Sequence, residues 1–218
     1  MKKLFLTVVA IAGMFAAEAQ ITEGSITYTV AVDGVPPEQA SMMKGMELNM
    51  MFKNKKSRAE FSMSMMTSTT VTDDNGSLML MEMMGQKTFT KMTKADIEKE
   101  SKKTPDPKIT YTEEKKTIAG YECKKAIIEI KDQKGETQKL NVWYTEKLPY
   151  NGGGRMNQFK GLKGAPLEFE SNQGPYKMKM TATKVSTAPV ADSEFVLSTE
   201  GYTEMKMDDL KKMQGGGK

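Results

Sequence analysis

The sequence predicts a mainly β (α+β) fold built on an antiparallel sheet, with a few short helices. Three observations predict it. Apolar residues recur at every second position from Gly24 onward, turn-forming residues separate these runs, and only short stretches have helical composition. With 218 residues, of which 38% are hydrophobic and 28% charged, the chain can bury the core of one domain.

The N-terminus has the pattern of a secretory signal. Two lysines precede the apolar run 4–15, and Ala17 and Ala19 supply the small residues that signal peptidase reads before Gln20. The apolar run is shorter than the ~20 residues that span a bilayer. Position 20 is not cysteine, so no lipoprotein anchor is expected. We therefore predict a cleaved signal peptide at residues 1–19 and a periplasmic or secreted protein with no transmembrane segment in the mature chain.

The mature chain reads as one unit. We predict a single β-rich domain at residues 20–213, expected to be monomeric, and a flexible Gly-rich tail at residues 214–218. The formal net charge of +4 is spread without a basic block, which disfavours nucleic acid as a partner. Absence of histidine removes the usual general base of hydrolases, and we expect no enzymatic activity and no cofactor. Cys123 is the only cysteine, so it is expected to be a buried thiol.

The strands follow one another in a regular order. Ile26, Tyr28, Val30 and Val32 share one face of a first strand, which Asp33 ends. Two prolines and Gly45 bound a possible two-turn helix at 38–44. Ten later runs predict further strands, which lie at 46–52, 61–65, 67–72, 78–83, 87–92, 109–115, 126–130, 140–144, 166–170 and 176–185. A short exposed helix is predicted at 94–101.

One hairpin carries the strongest turn signal. Asp74-Asn75-Gly76 lies between two runs, and Asn-Gly favours the positive dihedral angles of a type I′ turn. In the second arm, Leu78 and Leu80 face one way and three methionines face the other. Because both faces are apolar, we expect this strand to be covered on both sides and to be central in the sheet.

Three segments carry a family resemblance. They are IAGYECKKA at 118–126, VWYT at 142–145 and FKGLKGAPL at 159–167, and they resemble an uncharacterised family of exported Bacteroidota proteins related to the GLPGLI proteins, with Lys163 and Ala165 departing from that pattern. The chain is also similar to the lipoprotein carriers LolA and LolB. This resemblance implies a curved antiparallel sheet or unclosed β-barrel, with a few short helices on its concave face and acyl chains held there. It implies no catalytic residue.

The methionines are the compositional feature that needs an account. Thirteen of the 21 lie between Met42 and Met92. They could replace leucine and valine in an ordinary core, since volume-conserving swaps cost little. They could line a cavity, where flexible thioethers repack around apolar ligands. They could also bind Cu(I) through soft sulfur pairs such as Met63 with Met65.

The leading hypothesis is a periplasmic binding protein for an apolar ligand, a lipid or an acylated protein, in a methionine-lined concave sheet. An envelope structural or interaction module and methionine-based Cu(I) binding are the alternatives. The residues predicted to line the cavity are Met46, Leu48, Met50, Phe61, Met63, Met65, Met79, Met81, Met83, Met178 and Met180.

Overall fold

The computed structural model describes residues 21–36, 43, 45–102, 105–131, 135–150, 157–173, 176–207 and 209. The predicted signal peptide, most of the possible helix at 38–44 and the Gly-rich tail lie outside these residues. The described strands are β1 (Glu23–Asp33), β2 (Glu47–Lys53), β3 (Lys56–Met63), β4 (Met66–Asp73), β5 (Gly76–Met83), β6 (Gln86–Thr93), β7 (Lys108–Ile118), β8 (Tyr121–Lys131), β9 (Thr137–Thr145), β10 (Ala165–Gln173), β11 (Tyr176–Ser186) and β12 (Thr203–Glu204). Helix α1 (Lys94–Ser101) follows β6, and 3-10 turns occur at Asn157–Phe159 and Asp192–Phe195.

All twelve described strands form one sheet. Their order is β12-β6-β5-β4-β3-β2-β1-β11-β10-β9-β8-β7, and every pair is antiparallel except β12 with β6. The sheet is curved, because β7 approaches β11 although three strands separate them in the sheet. It is unclosed, with β12 and β7 at its two edges. The predicted fold class is therefore confirmed.

The position of β5 differs from the prediction. β5 lies third from one edge, whereas β1 and β2 are central. The centre is set by the pairing of β1 with β11, which joins residues more than 140 positions apart, such as Val30 and Met180. Apolar residues on both faces of a strand indicate that both faces are covered. They do not indicate which distant strands pair with each other.

Helix α1 agrees with its predicted bounds. Thr93 caps it through a reciprocal capping box with Asp96: the Thr93 side chain accepts from the backbone N–H of Asp96, and the Asp96 carboxylate accepts from the backbone N–H of Thr93. None of its side chains is buried. The helix is therefore held by its cap and by its contact with β5 and β6.

The β4–β5 hairpin forms as predicted, but its turn is of a different kind. Neither Asp74 nor Asn75 has a positive φ. Instead, one Asp73 carboxylate oxygen accepts from the backbone N–H groups of Asn75 and Gly76, at 2.8 and 3.2 Å. These two bonds stabilise the turn with neither Asp74 nor Asn75 in a left-handed conformation. Gly76 has φ +153°, and a Cβ there would lie 2.2 Å from the Met92 carbonyl oxygen.

One face of the sheet, which we call the core face, carries most of the buried apolar residues. Directly opposed residues on neighbouring strands share a face. Tyr28 opposes Leu48 on β2 and Ala182 on β11, and Met180 opposes Phe169 on β10. The core face is therefore continuous from β2 through the centre of the sheet to β10.

The chain itself seals the core face over β8, β9 and β10. The β9–β10 connection brings Phe159 against this face, with its ring centroid 4.9 Å from that of Phe169 in an edge-to-face arrangement. Leu148 and Leu162 of the same connection are also buried. Tyr28 completes the cluster, packing edge-on against Phe169 and donating its hydroxyl hydrogen to the Pro166 carbonyl at 2.8 Å. This half of the core face is filled by the protein's own side chains.

The opposite face is crossed by a C-terminal strap, which we define as residues 187–205. The Val190 N–H donates to Glu23 and the Val190 carbonyl accepts from Lys53, both at 2.9 Å. Further along, Arg58 donates to the Glu194 carbonyl at 2.6 Å. The strap ends as β12, where the Met205 N–H donates to the Phe89 carbonyl of β6 at 2.8 Å. The strap therefore ties β1 and β2 to the edge of the sheet.

Candidate ligand-binding face

Strands β2 to β6 present a surface that we call the methionine face, which is their side of the core face. Directly opposed residues on neighbouring strands form rows that run across this surface, and we call each row a rung. One rung is Met50, Ala59, Thr70, Met79 and Thr90; the next is Leu48, Phe61, Ser68, Met81 and Thr88; the last is Met63, Met66, Met83 and Gln86. Seven of the eleven residues predicted to line a cavity occupy these rungs.

The methionine face is more open than the sealed half. Phe159 and Phe169 are completely buried, whereas Phe61, Met63, Met81 and Met83 are each only half-buried. Three residues of the rungs are buried: Thr90 at 3%, Leu48 at 7% and Met79 at 8% exposed. The open side chains are long or aromatic, so they present a flexible apolar surface to whatever lies over it.

Charge is segregated between the two faces of these five strands. The methionine face carries no Asp, Glu, Lys or Arg on any described position of β2 to β6. The opposite face of the same strands carries nine such residues: Glu47, Lys53, Lys56, Arg58, Glu60, Asp73, Glu82, Lys87 and Lys91. Half-exposed surface on a soluble protein normally includes charged side chains. A whole uncharged face is therefore the feature that distinguishes this surface.

The remaining predicted residues fall into three groups. Met46 is buried immediately before β2, and its carbonyl accepts from the Val30 N–H at 3.3 Å. Met178 and Met180 lie on β11, on the core face, where they oppose Val32 and Val30 of β1. Together with the seven residues in the rungs, they form one continuous side of the sheet.

Met65 does not belong to the face. It was expected to extend the strand of Phe61 and Met63, but β3 ends at Met63 and Met65 lies in the β3–β4 turn, where it is 51% exposed. The turn residues Ser64 and Met65 include no Gly, Pro, Asn or Asp, and a single serine is only a weak turn signal, so the alternation predicted a strand through the reversal.

Met66 also lies on the methionine face, although the sequence prediction did not include it. It opens β4 directly opposite Met63 and Met83, and so occupies the centre of the last rung. Once the turn is placed at 64–65, the alternation from Met66 through Ser68 and Thr70 puts it on the methionine face. Thr67, Thr69 and Val71 alternate along the strand and share its other face. This alternation is the sequence signal that would have placed Met66 on the methionine face.

A polar cluster lies on the opposite face of β9 and β10, where Lys116 crosses the Trp143 ring. The Lys116 ammonium lies 4.3 Å from the ring centroid and donates to Glu168 at 2.8 Å. Lys179 also pairs with Glu168, at 3.1 Å. Burial acts to raise the pKa of Glu168, but hydrogen bonds and charges from the two lysines outweigh it and lower that pKa. These paired groups stabilise the sheet.

Cys123 is a structural thiol. It is completely buried, as predicted, and burial raises the pKa of the thiol to about 11. The thiolate is the reactive form of cysteine, so this residue is protected both by access and by protonation.

Within the part of the chain that the structure describes, no helix has the length and apolar content needed to cross a bilayer.

No protein-family model matches the chain, and no curated protein sequence matches it. The relation to the GLPGLI proteins therefore stays a prediction. Two solved structures match the chain at low similarity. A β-barrel-like protein of the domain of unknown function DUF1849 from Brucella abortus has a TM-score of 0.39 and 10% identity, covering 77% of this chain and 98% of that one. LprF from Mycobacterium bovis has a TM-score of 0.34 and 11% identity, covering 79% of this chain and 89% of that one. Neither similarity identifies a ligand for this chain.

Proposed function

We propose that this protein is a non-enzymatic binding protein of the cell envelope that holds an apolar ligand on the methionine face. The ligand class is an acyl chain, carried by a lipid or by an acylated protein. The observation that carries the proposal is the complete lack of charge on this half-open face, set against nine charged residues on the other side of the same strands.

The contrast between the two halves of the core face supports this proposal. Over β8 to β10 the chain supplies its own cover, through Phe159, Leu148 and Leu162. Over β3 to β5, Phe61, Met63, Met81 and Met83 are only half-buried, although Met79 is buried. An exposed apolar surface of this kind costs solubility unless something occupies it.

Burial of an acyl chain on this face would supply enough free energy for binding. Each buried methylene contributes about 0.8 kcal/mol, so an acyl chain with about twelve methylenes in contact contributes ~10 kcal/mol before ordering costs. Five neighbouring strands at about 4.8 Å spacing give a surface roughly 20 Å wide, and this width is enough for such an acyl chain to lie across it. Binding of this kind needs no polar anchor, and methionines can adjust to chains of different shape.

Two neighbouring positions of β4 give a matched test. Ser68 lies on the methionine face between Phe61 and Met81, whereas Thr67 points to the opposite face between Ser62 and Glu82. Ser68→Lys places a charge in the middle of the proposed site. Thr67→Lys adds the same charge to the opposite face, which already carries nine charged residues on β2 to β6.

The assay is fluorescence titration with a dansylated fatty acid, with circular dichroism to check that both variants fold. We expect Ser68→Lys to weaken binding by at least about tenfold, which is ~1.4 kcal/mol, and Thr67→Lys to bind like the wild type. Native mass spectrometry of wild-type protein purified from an envelope extract should show retained lipid. Equal binding by the two variants, or no fatty-acid uptake by the wild type, would contradict the proposal and favour an interaction module without a small ligand.

A further inference from the structure

The geometry points to a second site on the same face, for a soft monovalent metal ion such as Cu(I). Its ligands are the thioether sulfurs of Met63, Met66 and Met83, which we call the methionine triad. These residues lie on three adjacent strands, at the end of the face next to the β3–β4 and β5–β6 turns. The inference does not depend on the proposed acyl ligand.

The pairing of the strands brings the three side chains together. Met63 and Met66 oppose each other across the two-residue turn, a position where the Cα atoms lie about 5.5 Å apart. Met66 and Met83 form a non-hydrogen-bonded pair, because the ladder bond beside them runs from the Met84 N–H to the Met65 carbonyl at 3.2 Å. Side chains in such pairs are closest, with Cα atoms about 4.5 Å apart.

Three thioethers at these positions can reach one ion. The outer two Cα atoms are separated by about 10 Å, with Met66 between them on the same face. Methionine is unbranched and has three rotatable side-chain bonds, so the outer sulfurs can turn inward over Met66. Met81 lies two residues before Met83 on the same face, about 6.6 Å away, and offers a fourth sulfur.

The surroundings of the triad select a soft ion. Its rung ends at Gln86, and the next rung contains Phe61, Ser68 and Met81, so neither rung has a carboxylate. The chain has no histidine. Among the described residues, no three His, Cys, Asp or Glu side chains come together in a metal-binding group. Thioethers without imidazole or carboxylate favour Cu(I) over Zn²⁺, Mg²⁺ or Ca²⁺.

The test uses Ag(I), supplied as silver nitrate, because it is a soft monovalent ion that needs no reductant. Wild-type protein carrying ¹³C-methyl methionine is titrated and followed by NMR. We expect the methyl signals of Met63, Met66 and Met83 to shift together and to saturate at one equivalent. Cu(I) held in ascorbate should then compete with Ag(I) for this site.

Matched variants separate the triad from methionine content in general. Changing all three triad residues to leucine keeps volume and removes sulfur. The control changes Met50, Met79 and Met180 to leucine; these lie on the same side of the sheet but oppose no other methionine. Loss of a residue that only supports a metal ligand costs about 10–100-fold in affinity, so removal of all three ligands should cost about 100-fold or more in Ag(I) affinity. We expect the control variant to retain its affinity.

Two results would overturn the inference. One is an equal loss of affinity in both triple variants, which would mean that any dense methionine surface binds the ion. The other is a wild-type titration in which methionine signals shift without preference for the triad. The wild-type NMR result stands even if a triple variant fails to fold, and neither result bears on fatty-acid binding.

Discussion

Phe159→Ala tests the claim that the protein seals one half of its core face and leaves the other open. Phe159 has no exposed surface, and its ring packs edge-on against Phe169 at 4.9 Å and against Tyr150 at 5.9 Å. Truncating a buried phenylalanine costs about 3–5 kcal/mol through lost burial and the cavity left behind. For a domain of this size, that corresponds to a fall in Tm of roughly 10 °C.

Phe61→Ala is the matched comparison, because it removes the same ring from the open half. Phe61 is only half-buried, so the substitution takes less apolar surface from the core and leaves no closed cavity. We expect it to cost roughly half as much or less in the free energy of unfolding. Urea unfolding followed by far-UV circular dichroism measures both variants. Equal losses in the free energy of unfolding would contradict this expectation, since they would show that the methionine face is packed as tightly as the half under Phe159.

Two further predictions concern ionisable groups. For Glu168, the folded-state pKa lies below the unfolded value of about 4.3, so its ion pairs contribute stability above that value, and the contribution is lost as pH falls through the folded pKa. Urea unfolding should therefore show that Glu168→Gln destabilises the protein near pH 6 and that the difference shrinks toward about pH 3; a difference that does not change with pH would contradict this. For Cys123, the buried thiol with a pKa of about 11 should not react with Ellman's reagent in native protein at pH 8 and should react fully after unfolding in urea; rapid reaction of the native protein would show that the site is open.

Local patterns predicted most of the strands. Helix α1 has the expected bounds because its cap and composition are local signals. Met79, Met81 and Met83 face away from Leu78 and Leu80, as predicted, because alternation follows directly from strand geometry. The β5–β6 turn also falls in the gap between the predicted strands at 78–83 and 87–92, and Gly85 takes a φ of 82° there. The limit was the β3–β4 reversal, which uses Ser64 and Met65 where the sequence predicted a strand through residue 65.

The long-range features could not be derived from the sequence. The strap is held by backbone and side-chain bonds over more than 130 positions, such as Arg58 to Glu194 and Lys53 to Val190. The sequence of the strap has no regular alternation of apolar and polar residues that would indicate which face of the sheet it crosses. The same holds for the β9–β10 connection, whose Phe159 covers strands on both sides of it in sequence. The segregation of charge became visible only when the strand register placed each residue on a face.

Paramagnetic broadening can show on which face of the sheet a bound acyl chain lies. A spin-labelled fatty acid is added to protein with ¹³C-methyl methionine, and Met50 and Met51 serve as internal references because they are neighbours on opposite faces of β2. If the acyl chain lies on the methionine face, the Met50, Met81 and Met83 methyl signals should broaden strongly while the Met51 signal is retained. Equal broadening of Met50 and Met51, or no broadening with the ligand in excess, would contradict this placement.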